Sequence, residues 1–150
     1  MRLTRFTDNA LRCLLYLAAI PSRTATVSEV AQRMGMLPDQ VLKVIQRLVA
    51  LGYVRTTRGR NGGVQLGKSA DAITMAEVVR ATEPTLALVP CFERCNTECP
   101  LTGVCGLADA LDESQRAFFA VLERRTLADF VTPARWSLPG TAVASSTNDT

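Results

Sequence analysis

Apolar residues recur at helical spacing through the first third of the chain. Leu11, Leu14, Leu15 and Ala18 follow an i, i+3, i+4, i+7 pattern, which predicts an amphipathic helix running to about Ala19, with Thr7 as its cap and Pro21, Ser22 and Arg23 at its end. A second helix is predicted where Thr26 and Glu29 form a T-x-x-E capping box ahead of Val30, Ala31 and Met34, with Gly35 closing it. Pro38 starts a third, with Val41, Val44, Ile45, Leu48 and Val49 on one face and Gly52 as its stop. Gln40, Lys43, Gln46 and Arg47 then face away from the apolar side. Two helices joined by a short turn, the second carrying exposed basic and amide groups, predict a helix-turn-helix whose second helix can enter a major groove.

The periodicity then changes. Tyr53 to Thr57 and Val64 to Leu66 are strand-like runs around Arg58-Gly-Arg-Asn-Gly-Gly63, a hairpin with an Asn-Gly step at its tip and with Arg58 and Arg60 placed to meet phosphates or a minor groove. A hairpin directly after a helix-turn-helix is a wing, and the fold class predicted is mainly α, a winged helix-turn-helix. Thr74 and Glu77 form a second capping box for a short helix that ends before Glu83 and Pro84. Leu107 to Arg125 reads as the longest helix. It has one apolar stripe at Leu107, Leu111, Ser114, Phe118 and Val121 and a second at Ala110, Ala117, Phe119 and Leu122. One stripe suits the winged-helix core and the other the same helix of a second chain, giving the two-fold symmetry that a palindromic operator demands; the alternative is a helix wholly buried in one monomer. A last short turn runs from Thr126 through Phe130. The Thr-, Ser-, Pro- and Ala-rich segment from Thr132 is expected to be disordered. The organisation predicted is a winged-helix DNA-binding domain over 1–82, a Cys-rich loop over 83–106, a dimerisation helix with its final turn over 107–131, and a tail over 132–150.

Charge sharpens this picture. The 150 residues carry a formal net charge of +3, but residues 1 to 68 hold eleven basic side chains against three acidic ones, leaving +8 on the first part and −5 on the rest. Clustered Lys and Arg gain affinity for a polyanion by releasing its counterions, so the basic part points to nucleic acid. At 47% hydrophobic and 21% charged residues, the composition is that of a folded globular chain. Arg2, Arg5 and Arg12 ahead of Cys13 to Ile20 imitate a secretory leader, but Asp8 and Arg12 interrupt the segment. No apolar run approaches the roughly 20 residues of a membrane span. The expected location is cytoplasmic, with no membrane partner.

In a reducing compartment, cysteines call for an explanation other than structural disulfides. Cys13 sits alone on an apolar helix and reads as core. Cys91, Cys95, Cys99 and Cys105 crowd into one loop flanked by Pro90 and Pro100. Thiolates select soft ions, and a chain without histidine has no imidazole to offer a metal. The spacing suits neither a zinc ribbon nor a ferredoxin, so an iron-sulfur cluster, a structural zinc and a thiol-disulfide switch stay open. Gly62, Gly67, Lys68 and Ser69 satisfy G-x-x-x-x-G-K-S literally. That phosphate loop must follow a buried strand and open into a helix, whereas here Val64 to Leu66 reads as the return strand of the wing, so nucleotide hydrolysis is rejected. A thiol redox enzyme is disfavoured by the lack of C-x-x-C spacing. The chain is not expected to be an enzyme.

Taken together, Met1-Arg-Leu-Thr-Arg-Phe-Thr-Asp8, Leu51-Gly-Tyr-Val54, the wing Arg58-Gly-Arg-Asn-Gly-Gly63 and the Cys-rich loop resemble the iron-sulfur winged-helix transcriptional repressor family (IscR/NsrR-like), and within it the nitric-oxide-sensitive members. The resemblance covers about residues 1 to 131. It implies a homodimer on double-stranded DNA, with one cluster per subunit, 2Fe-2S or 4Fe-4S, whose attack by nitric oxide relieves repression. Carried over to this chain, the ligands are Cys91, Cys99, Cys105 and, from the partner chain, Asp8. Cys95 is an extra thiol, so the first ligand is either Cys91 or Cys95, or all four ligands are cysteines and Asp8 is left as a capping residue. Gly106 and Leu107 stand where IscR-like members place a ligating histidine, and Gln40 replaces a histidine common at the start of the family's recognition helix. Gln still reads adenine through a bidentate contact. The DNA-contacting residues expected are Gln40, Lys43 and Arg47 in the major groove and Arg58 and Arg60 on the wing. The rival readings are a regulator of the same architecture that reports iron-sulfur or redox status, and a zinc-stabilised repressor.

Overall fold

Thr4, not Thr7, caps the first helix. In the computed structural model, which describes residues 2–59, 62–93 and 99–131, Thr4 is extended and its side chain accepts from the backbone N–H of Thr7 at 3.2 Å, so α1 (Arg5–Ala19) starts earlier than its apolar pattern predicts. Thr4 is also tied across the fold, its N–H donating to Glu83 Oε1 at 2.8 Å. Thr7 lies fully buried within the helix.

In α2 (Val27–Met34), Thr26 accepts from Glu29 N–H at 3.1 Å as predicted. The Glu29 carboxylate does not return to the cap, however; it takes hydrogen bonds from Tyr16 (2.6 Å) and Arg23 (2.5 and 3.1 Å). Gly35 ends α2 with φ +64, a conformation that disfavours side chains bearing a Cβ. Pro38 opens α3 (Pro38–Ala50). Val41, Val44, Ile45 and Leu48 are buried there, but Val49 is 37% exposed and is no part of the core face. Val49 falls at the edge of the face formed by the four buried residues, one turn past Ile45, and the packing there leaves it partly open.

Strands β1 (Val54–Thr57) and β2 (Gly63–Leu66) pair antiparallel from Val54 opposite Leu66 to Thr57 opposite Gly63. Ala25, just before α2, joins this ribbon by reciprocal backbone bonds with Val64 of 2.9 and 2.8 Å. A Cβ on Gly63 would lie 2.6 Å from the Ala25 carbonyl oxygen, so this position accepts only glycine and the wing is fastened closely to the helix-turn-helix. Arg60 and the Asn61 of the predicted Asn-Gly step at the wing tip, Cys95 in the loop, and the tail from Thr132 lie outside the described residues.

Helix α4 (Met75–Thr82), capped by Thr74, packs against α1. Helix α5 (Gly106–Glu123) follows the cysteine loop and packs on α4. Residues Leu14, Tyr16, Leu17, Val30, Val41, Leu48, Ile73 and Leu127 form the main core, while Ala76, Val79 and Phe119 form a second cluster that attaches α5. The Phe118 and Phe119 rings meet edge to face at 5.3 Å. Among the residues of α5 only Phe119 is buried, whereas Leu107 is 67% and Val121 51% exposed. A helix wholly buried in one monomer is therefore excluded. After α5 the chain returns to the start of α4, with Leu127 N–H on Ile73 O at 3.0 Å, and closes in a short turn at Leu127–Phe130.

Candidate nucleic-acid interface and cysteine pocket

The turn at Gly35 sets α3 across α2, and α1 supports both from behind. Lys43, Gln46 and Arg47 are exposed, and so is Arg58 at the base of the wing tip. Gln40 is half-buried. It lines a cleft of about 500 Å³ between the start of α1 and the start of α3, together with Arg2, Arg5, Asp8 and Arg12. Arg47 leans toward α4, its Nη2 donating to the carbonyl of Ala81 at 3.3 Å. Of the expected contact residues with described positions, Lys43 and Arg58 point to solvent, while Gln40 and Arg47 lie on the flank of α3 that faces α1 and α4.

Sequence reasoning passed over three arginines and one leucine on this surface. Arg2, Arg5 and Arg12 gather around the cleft; the spacing of seven between Arg5 and Arg12 was a legible signal of one face of α1, with Arg2 just ahead of it, obscured by their likeness to a leader segment. Leu42 is 44% exposed on the outer face of α3, and nothing in an apolar period separates such a residue from the core.

The four proposed metal ligands with described positions divide between two places. Cys91, Cys99 and Cys105 line one open pocket of about 490 Å³. Pro90 opens the 3₁₀ turn that carries Cys91, the carbonyl of Cys99 accepts from Thr102 N–H (3.1 Å) and hydroxyl (2.7 Å), and Cys105 is the N-cap residue of α5 without a side-chain capping bond. Asp8 lies apart, in the arginine-lined cleft, paired with Arg12 at 3.0 Å while both side chains stay about half exposed. Among the described residues, no three thiols or carboxylates stand close enough in this conformation to hold a metal ion. The donor set still has the chemistry a thiophilic metal needs: three soft sulfur donors on one solvent-open pocket with no competing nitrogen ligand. Cys13 is fully buried on the inner face of α1, and burial pushes its thiol up to about 12.

A strap joins the pocket to the rest of the fold. Glu83 at the end of α4 holds Thr4, and Gln115 on α5 donates to the carbonyl of Leu86, so the segment leading to Cys91 is pinned at both sides. The last turn of α4 also carries Arg80, which pairs with Glu123 at 2.8 Å and lies 4.3 Å over the Phe119 ring. No helix among the described residues is long and apolar enough to cross a membrane.

Comparison with known proteins places this geometry. The pattern of the Rrf2 family, described as iron-dependent transcriptional regulators, matches residues 3–133. The HTH-type transcriptional regulator NsrR of Bacillus subtilis (strain 168) is 42% identical over 132 residues, 87% of this chain and 90% of that protein. Protein aau3 of Rhizobium meliloti (strain 1021) is 42% identical over 131 residues, 87% of this chain and 85% of that protein. Among solved structures, T. potens IscR superposes with a TM-score of 0.73 at 18% identity, covering 89% of this chain and 88% of its own, a likeness of fold.

Proposed function

The chain belongs to the Rrf2 family of transcriptional regulators, and from that premise we propose that it is a homodimeric, DNA-binding repressor whose iron-sulfur cluster senses nitric oxide. It is a regulator and not an enzyme, as its relatives are. The observation that carries the sensor reading is the placement of Cys91, Cys99 and Cys105 on one pocket and of Asp8 on another, beside Gln40 at the start of α3. A ligand set drawn from both places calls for a second copy, so the cluster would bridge the cysteine loop of one chain and the first turn of α1 of the other, beside that chain's recognition helix. The exposed stripe of α5 through Leu107 and Val121 supports that pairing.

On DNA, α3 enters the major groove with Lys43 outward, Gln40 and Arg47 serve on its flank, and Arg58 and Arg60 of the wing neutralise phosphates or enter the minor groove. The arginines at the start of α1 extend the positive surface beside α3 and steer the duplex toward it. Cys91, Cys99, Cys105 and Asp8 would hold the cluster, which would supply iron able to react with nitric oxide. An Asp8 not engaged by the cluster would keep its 3.0 Å pair with Arg12, and the cysteine loop would no longer be tied to α1 of the partner; Glu83 and Gln115, which hold the strap, would pass its altered position to α1 and α5. The family's description as iron-dependent favours a second reading, in which the same architecture reports iron-sulfur status.

The test is purification without oxygen, followed by the visible spectrum, iron and acid-labile sulfide. Operator affinity is then measured before and after nitric oxide. Iron and sulfide in near-equal amounts, with absorption bleached and DNA released by nitric oxide, is the expected result. Unchanged affinity would sink the nitric-oxide reading in favour of iron-sulfur status, and a colourless, zinc-loaded protein would sink both.

A further inference from the structure

An apolar side chain stands on the outer face of α3 among polar ones. Leu42 is 44% exposed, and Asp39, Lys43 and Gln46 around it are exposed as well. At 3.6 residues per turn these four side chains fall within a sector of about 100°, on the side of α3 opposite the buried Val41, Ile45 and Leu48. Gln40 and Arg47 occupy the flank turned toward the α1 cleft and Ala81, so the outermost sector of α3 is held by these four side chains. The exposed leucine is not part of an apolar docking patch. Leu37 lies before the helix, and Val49, two turns on from Leu42, is about 10 Å further along the axis with exposed Gln46 set between them.

Resting on the DNA-binding reading above, we infer that Leu42 is a specificity-determining residue that packs against the C5-methyl group of a thymine in the operator, and that Gln46, one turn along, reads an adenine at a neighbouring base pair. In the major groove the thymine methyl is the one apolar feature on a base edge, and adenine N6 and N7 match a side-chain amide in donor and acceptor order. An aliphatic side chain gains from the first what Lys, Asp or Gln cannot. The chemistry recognised is therefore a T/A-containing step in each half-site, set by contact with a methyl group and not by phosphate charge.

Deoxyuridine pairs as thymine does and lacks only that methyl, so it isolates the contact. A duplex enriched from a random-sequence pool by the full-length, cluster-loaded protein is resynthesised with each thymine replaced in turn by deoxyuridine. One symmetry-related position should weaken binding by about four-fold per half-site, the worth of one buried methyl. Leu42→Ala should bind the thymine duplex more weakly by a similar factor and bind both duplexes equally. Leu42→Met should keep the methyl preference, and Gln46→Ala should keep it while losing its preference at the neighbouring pair. If no deoxyuridine change matters to the wild type, or if Leu42→Ala stays as sensitive as the wild type, the inference is overturned while the DNA-binding reading stands. If no sequence is enriched at all, both fall.

Discussion

The guanidinium of Arg47, near the end of α3, donates to the backbone carbonyl of Ala81 on α4 at 3.3 Å. The recognition helix is thereby joined to the element that carries Glu83, Arg80 and the strap toward Cys91. Ala81 O lies in the last turn of α4, where carbonyls lack intrahelical partners, so a cation is favoured there by both hydrogen bonding and the helix dipole.

Arg47 donates to a carbonyl in this structure, and on the proposed DNA-binding reading it would exchange that partner for a phosphate or base edge. Arg47→Ala is expected to weaken operator and non-specific duplex alike and to reduce the slope of log affinity against log salt by about one. Titrations at several salt concentrations measure this. A slope equal to that of the wild type would place the guanidinium permanently on Ala81.

Phe119 is the anchor of α5. It is 7% exposed, stacked edge to face on Phe118 and covered by Arg80. Phe119→Ala should cost about 3 kcal/mol of stability, because it empties most of a small cluster that has few residues to collapse inward. Denaturant unfolding would register this as a lower midpoint; a loss below about 1 kcal/mol would mean that α5 is held by something other than this ring.

Leu107 and Val121 should behave in the opposite way. At 67% and 51% exposure they contribute little within one chain, so Leu107→Glu with Val121→Glu is expected to leave the fold intact while preventing the proposed dimer from forming. Sedimentation of the double variant as a monomer with wild-type helicity is the expected result, and an unshifted dimer would move the interface elsewhere.

Much of the fold was legible because each helix carries both a period and a stop signal: Thr26, Gly35, Pro38 and Thr74 all act as the sequence predicts. Thr7 misled because it directly precedes the apolar period, while Thr4, the true cap, accepts from the Thr7 N–H one turn earlier and is further held by a bond to Glu83 that is distant in sequence. Val49 misled for a related reason: a 3.6-residue period admits it to the apolar face, and only the placement of α1 and α2 against α3 decides which edge of that face stays dry. The cysteines could be read as a group by their crowding, whereas the separation of Asp8 from them follows from the path of the chain from α4 to α5.

The network of Tyr16, Arg23 and Glu29 makes stability depend on acid. Hydrogen bonds from Arg23, aided by the Tyr16 hydroxyl and opposed by partial burial, hold the Glu29 carboxyl below its ordinary 4.5. A carboxyl depressed in the folded state stabilises above its unfolded value and loses that contribution as pH falls through the folded one. Wild-type stability should therefore fall below about pH 5, and Glu29→Gln should flatten that limb by roughly 1 kcal/mol, a modest amount because Arg23 is about half exposed and the pair is screened. Urea unfolding from pH 3 to 7 would show it, and parallel curves for the two proteins would exclude Glu29 as the titrating group.

Cys13 and the loop cysteines should separate cleanly in reactivity. The thiolate is the attacking species, and a thiol pushed up to about 12 by burial is ionised at pH 8 in only about one molecule in ten thousand. Cys13 is also fully buried, so a reagent reaches it only when α1 opens, whereas Cys91 is exposed and Cys99 and Cys105 are partly so. In metal-free native protein, iodoacetamide at pH 8 should label the loop and spare Cys13, and labelling of Cys13 should appear with the unfolding transition in urea. Cluster loading should then protect Cys91, Cys99 and Cys105 while leaving Cys13 as it was. Peptide mapping by mass spectrometry distinguishes the sites. Early labelling of Cys13 would show that α1 opens locally, well below the cost of global unfolding, and would make the helix that bears Asp8 the mobile element of the switch.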